Sequence, residues 1–178
     1  MKRLFIAIPL PERIRDDIAD TYHAIPGTRW VEEMNLHITL RFCGESSPQQ
    51  EESLVQALRA VSFRPFSIIC KGVGQFPAAK EARVLWAGVE APDEFMLMQQ
   101  NVEKACVKAG LAAEGKKFSP HITVARCKSA PPDRVARFIV ANSLFKTETF
   151  EVAGYSLYSS HLGKSGTVYT EEARFTSA

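Results

Sequence analysis

Two nine-residue stretches of this 178-residue chain, NLHITLRFC (35–43) and SPHITVARC (119–127), align without a gap. Their histidines, 37 and 121, stand 84 positions apart. Each stretch alternates apolar and polar residues, the pattern of a strand with one buried face. The repeat limits the fold to two similar halves, each with one such strand, meeting about a pseudo-twofold axis. Side chains two apart on a strand share a face. His37 and Thr39 therefore point one way while Ile38 and Leu40 point the other. His121 and Thr123 oppose Ile122 and Val124 in the same manner. With the apolar partners packed under helices, each His-Thr pair faces a cleft. Copies lying side by side then bring two imidazoles and two hydroxyls together.

The rest of the chain supplies the layers. Strands are expected over 3–8, closed by Pro9, over 35–43, closed by Gly44, over 66–73, 83–89 and 121–127, and in a C-terminal hairpin of 149–160 and 167–176 around the polar loop HLGKSG. Helical spacing appears over 11–25 (Ile14, Ile18, Tyr22, Ile25), 48–61, 93–113, where Gly110 interrupts, and 131–145, opened by two prolines. The order β α β α β β α β α β β indicates a mixed α/β or α+β sandwich.

Composition excludes several classes. With 46% hydrophobic and 24% charged residues the chain is globular rather than disordered. A net charge of +2 is too small for bulk binding to nucleic acid or an anionic membrane, but it leaves room for a local basic cleft. The first apolar run is broken by Pro9 and followed at once by charges, so it reads as a strand and not a signal peptide. No stretch approaches the ~20 apolar residues of a membrane span. Cys43, Cys70, Cys106 and Cys127 have no CxxC spacing and read as reduced thiols, which fits a cytoplasmic protein.

Paired histidines suit phosphodiester chemistry. Neutral imidazole takes a proton from water, and imidazolium gives one to a departing alkoxide, both near neutral pH. The threonine hydroxyls can hold non-bridging oxygens, whose charge a cation stabilises further. HExxH, a Cys/His cluster, a Walker A loop and a GxSxG elbow are all missing from the sequence. His23, beside Tyr22 in a helical segment, and His161, in the polar loop, read as structural or solvated.

HITL at 37–40 and HITV at 121–124 resemble the two His-x-Thr-x motifs of the two-histidine phosphoesterase superfamily. RLFIAIPLP at the start, W-x-x-x-x-x-LHITLRF-x-GE at 30–45, PHITVAR at 120–126 and Y-x-L-Y-x-S near the tail narrow the likeness to the LigT/ThpR-type RNA 2′,3′-cyclic phosphodiesterases, over nearly the whole chain. The resemblance implies an α+β, bilobal fold: one domain over 1–178, with two pseudo-symmetric antiparallel-sheet lobes, one His-x-Thr strand per lobe, outer helices and a central cleft. It implies metal-independent, cofactor-free opening of a ribonucleoside 2′,3′-cyclic phosphate to a 2′-phosphomonoester, with reversible 2′–5′ RNA joining as the reverse chemistry. Carried onto this chain, His121 is the proton acceptor that activates water and His37 the proton donor to the departing 3′ oxygen. Thr39, Thr123 and Arg126 bind the phosphate. RNA ends or cyclic nucleotides are the expected partners, with a cytoplasmic monomer acting on them.

Parity disagrees about the arginine. Arg126 stands five residues from His121, so strict alternation turns it away from the cleft unless a bulge or the strand end returns it. Arg41, at an even offset from His37, has the better claim by parity. Phe5 and Trp30 are candidates for stacking on a base, with core packing favoured for both. Cys43 stands where family members usually carry leucine and touches nothing catalytic. Two other functions stay open: a catalytically quiet nucleotide- or RNA-binding module on the same fold, and an esterase for another cyclic phosphate such as ADP-ribose 1″,2″-cyclic phosphate.

Overall fold

A computed structural model describes residues 1–177. Two antiparallel sheets carry the protein. The first has the order β3-β1-β8-β9 and the second β2-β6-β5-β4-β7. The strands are β1 (Lys2–Pro9), β2 (Thr28–Trp30), β3 (His37–Ser46), β4 (Phe66–Phe76), β5 (Val84–Glu90), β6 (His121–Cys127), β7 (Phe150–Val152), β8 (Gly154–Gly163) and β9 (Gly166–Thr176). The helices are α1 (Glu12–Ala19), α2 (Pro48–Arg59), α3 (Asp93–Lys108) and α4 (Pro132–Ala141), with a 3₁₀ turn at Glu33–Asn35.

β1 is central in its sheet, and Leu4 to Ile8 are all buried. That explains a continuous apolar run instead of an alternating one. Each His-x-Thr strand sits between helices in the sequence, as the repeat suggested. α3 packs on β3, α2 packs on α3, and α4 packs on β4. Ile38, Leu40, Ile122 and Val124 all enter the core. At ~1.5–3 kcal/mol for each large apolar side chain buried, those residues anchor the strands that carry the histidines.

Several boundaries differ from the periodic pattern. α1 stops at Ala19, because the Thr21 hydroxyl donates to the Ile18 carbonyl at 2.7 Å and i+3 backbone bonds close the last turn. Tyr22 and Ile25 therefore lie outside it, although Ile25 remains buried. α4 ends at Ala141, where the Asn142 side chain donates to the Phe138 carbonyl. α3 ends at Lys108, just before Gly110 adopts φ +103°. β3 does not stop at Gly44. That glycine takes φ +76° at a bulge opposite β1, and the strand continues to Ser46. β2 and β7 are three residues each, too short to show a period.

Candidate active site

β3 lies at the edge of the first sheet, and β6 of the second sheet comes alongside it. The two His-x-Thr pairs thus face one cleft. Each imidazole is held in the same way. His37 Nδ1 is 2.6 Å from the Asn35 carbonyl, and His121 Nδ1 is 2.8 Å from the Ser119 carbonyl. A carbonyl only accepts, so Nδ1 carries the proton and Nε2 is left for chemistry. His37 Nε2 meets the Thr39 hydroxyl at 2.9 Å.

The surroundings differ. The His37 ring lies 5.1 Å from Phe5 and 5.4 Å from Tyr169. Phe5, Tyr158 and Tyr169, with Pro9, Met34 and Leu36, line a pocket of about 190 Å³ beside it. Burial holds the His37 imidazole below the ordinary histidine value; the bond to Asn35 works against this, while the charges of Arg126 and His121 add to it. His121 meets the edge of Phe76 at 5.0 Å, and Phe76 lies 5.5 Å from Trp86. Trp86 lies over Gly74, where an added Cβ would stand 2.2 Å from the indole. Only glycine lets that ring lie flat on β4.

Bulges decide the two arginines. The pairing of β5 with β6 slips one residue between Thr123 and Ala125, so Val124 and Ala125 are both buried and Arg126 returns to the His121 face. The pairing of β1 with β3 slips likewise between Thr39 and Arg41. Leu40 and Arg41 are both buried, and Phe42 takes the cleft face. Simple alternation favoured Arg41, and the structure corrects it. Its Nε lies 2.7 Å from Glu103 Oε2, off the N–H axis, so charge rather than hydrogen-bond direction holds the pair. The same guanidinium donates to the Ala112 carbonyl and lies 3.6 Å from Glu114. Arg41 thus ties β3 to α3 and to the segment leading to His121.

The remaining candidates divide between the cleft and the helix side of the sheet. Trp30 stacks on Tyr22 at 4.4 Å and meets Phe138 of α4, on the helix side of its sheet. Phe5 is 4% exposed and stacks on Tyr158, forming the pocket wall. His23 packs against Phe138 at the surface, and His161 is exposed. Sequence reasoning missed Phe42, Tyr169, Phe76 and Trp86. Phe42 could have been found from the gapless repeat, where it aligns with Arg126. Tyr169 has no such signal, since only the hairpin fold brings it to His37. Cys43, Cys70, Cys106 and Cys127 are free thiols. Among the described residues, no group of three or more His, Cys, Asp or Glu is placed to hold a metal ion. No helix among them is long and apolar enough to cross a membrane.

The family model of the 2′-5′ RNA ligase superfamily matches residues 10–164. An RNA 2′,3′-cyclic phosphodiesterase of Archaeoglobus fulgidus is 33% identical, with 95% of this chain and 97% of the relative aligned. Its namesake in Methanothermobacter thermautotrophicus is 32% identical, with 95% of each chain aligned. The crystal structure of E. coli LigT with 3′-AMP superposes with a TM-score of 0.80 at 26% identity, covering 99% of this chain and 98% of that one. A Thermus thermophilus protein superposes with a TM-score of 0.80 at 26% identity, covering 98% and 97%. Sequence and architecture agree over nearly the full length, and the protein belongs to the 2′-5′ RNA ligase superfamily.

Proposed function

We propose that this protein is an RNA 2′,3′-cyclic phosphodiesterase in which His37 and His121 are the acid–base pair. The observation that carries the reading is the meeting of two identically tethered imidazoles in one cleft, close enough for His121 and Arg126 to act on the charge of His37. The relatives named as RNA 2′,3′-cyclic phosphodiesterases support the substrate class.

Water enters opposite the 3′ oxygen, and His121 Nε2 takes its proton as the new P–O bond forms. The P–O3′ bond breaks, and protonated His37 gives its Nε2 proton to that oxygen. The product is a 2′-phosphomonoester with a free 3′-hydroxyl; solvent then resets both imidazoles. Thr39, Thr123 and Arg126 hold the non-bridging oxygens, where donors aimed at developing charge act most strongly. In the free protein His37 leans neutral, because of burial first and then Arg126 and His121. A bound phosphate opposes those influences with negative charge, so substrate itself favours the protonated acid. The reading takes residues 1–178 as one bilobal catalytic unit, a monomer of the cytoplasm acting on RNA ends or cyclic nucleotides. Reversible 2′–5′ joining follows from the same two proton transfers run backward.

Incubation of the purified protein with 2′,3′-cyclic AMP and EDTA, with the product isomer identified by phosphorus NMR, tests this reading. Conversion to the 2′-phosphate is expected. A 3′-phosphate product would reverse the leaving group, and loss of activity on chelation, restored by a divalent metal, would overturn the two-histidine mechanism.

A further inference from the structure

Past the end of the cleft, beyond Arg126, the β4–β5 loop and the residues after β6 enclose a groove of about 650 Å³. Lys80, Arg83 and Lys128 line it, with Glu81 as the one carboxylate beside them. All three cations are exposed, and none pairs with a carboxylate among the described residues. The walls are anchored through backbone: Cys127 N–H donates to the Arg83 carbonyl at 2.8 Å, and Lys128 N–H to the Gly27 carbonyl at 2.7 Å.

Two further cations stand beside each other on β2 and β6. Arg29 of β2 stands directly opposite Arg126 of β6. Like charges directly opposite across a ladder destabilise it, and among the described residues neither arginine pairs with a carboxylate. Three cations against Glu81 leave the groove's lining at +2, as much as the net charge of the whole chain. Such a concentration is the footprint expected for a phosphodiester backbone.

The direction also fits. In the proposed reaction the departing 3′ oxygen stays on the ribose, on the side of His37. Arg126 is the cleft cation whose charge reaches both His37 and Tyr169. Lys128 follows it by two residues, just past the end of β6. With the cyclic phosphate held at Arg126, the next cations past the end of β6 for the upstream backbone are those of the groove.

We infer that Lys80, Arg83 and Lys128 form a phosphate-binding track for the RNA 5′ of the cyclic end, so that the protein prefers oligoribonucleotides to cyclic mononucleotides. This rests on the phosphodiesterase reading. It is tested with the variant Lys80→Ala/Arg83→Ala/Lys128→Ala, which alters surface side chains only and is checked for folding by circular dichroism. Its kcat/KM is compared with that of the unaltered protein on 2′,3′-cyclic AMP and on a short oligoribonucleotide ending in a 2′,3′-cyclic phosphate, across a salt series. The mononucleotide rate should be unchanged. The oligonucleotide kcat/KM should fall, and its log–log salt slope should become shallower by roughly 2, at about 0.7 for each single-strand phosphate no longer neutralised. Equal losses on both substrates, or an unchanged salt slope, would overturn the track. Should the unaltered protein hydrolyse neither substrate, the phosphodiesterase reading fails. Salt-dependent binding of a 2′-phosphate-ended oligoribonucleotide to both proteins then decides the track by the same slopes.

Discussion

β3 and β6 repeat the same strand with different neighbours. Both tether a histidine through Nδ1 to the carbonyl two residues earlier, and both carry a one-residue bulge after the threonine. The bulge presents Phe42 in one lobe and Arg126 in the other. It buries Arg41 in one lobe and Ala125 in the other. The His37 ring sits among Phe5, Tyr158 and Tyr169, whereas His121 meets Phe76 at one edge. The duplicated strand sets where the protons are held. Residues outside the duplicated pattern set the local charge and shape, so one frame holds its two histidines in different surroundings.

The strongest way to break this comparison is to remove the shared part. His37→Ala and His121→Ala should each lower kcat by ~10²–10⁴-fold, the usual worth of a proton-transfer group. The double variant should lose far less than the product of the two, because groups acting as a unit are not additive. Near-normal turnover in folded His37→Ala would make the repeat structural. In the proposed mechanism one imidazole acts neutral and the other protonated, so the kcat/KM profile of the unaltered protein should be bell-shaped, with the His37 limb below the ordinary histidine value.

Next come the residues after the bulges and the shared threonines. In the proposed mechanism Arg126, Thr39 and Thr123 hydrogen-bond a charged phosphate, so Arg126→Ala, Thr39→Ala and Thr123→Ala should each cost ~1.5–3 kcal/mol in kcat/KM. Phe42→Ala removes no charge and should cost kcat/KM less than Arg126→Ala. Equal losses from the two would erase the division of labour between the lobes.

The electrostatic difference is sharpened by titrating His37 with imidazole NMR. It should titrate below 6.5 in the free protein, because of burial first and the Arg126 charge after it, and move upward in Arg126→Ala or on adding phosphate. A lowered folded value means that the unfolded chain binds the proton more readily. His37 therefore favours the folded state fully above about pH 6.5, and that contribution is lost as pH falls through its folded value. Denaturant midpoints across that window should drop less in Arg126→Ala than in the unaltered protein. Smallest of all, His23→Ala and His161→Ala should leave turnover unchanged. A large effect from either would place the chemistry outside the two repeated strands.

The repeat alone determined that two histidines and two threonines occupy matching strand faces, because a period of two is a local property of extended backbone. It also determined, through Ile38, Leu40, Ile122 and Val124, which face is buried. Tertiary structure decided the rest. Parity fails where a strand must bulge to match its partner's pleat, so Arg126 turns inward and Arg41 reaches Glu103 instead. No local pattern in β3 or β6 records that mismatch, since it belongs to the pairings with β1 and β5. The pocket around His37 likewise assembles side chains from β1, β8 and β9, which only the order of strands in the sheet makes neighbours.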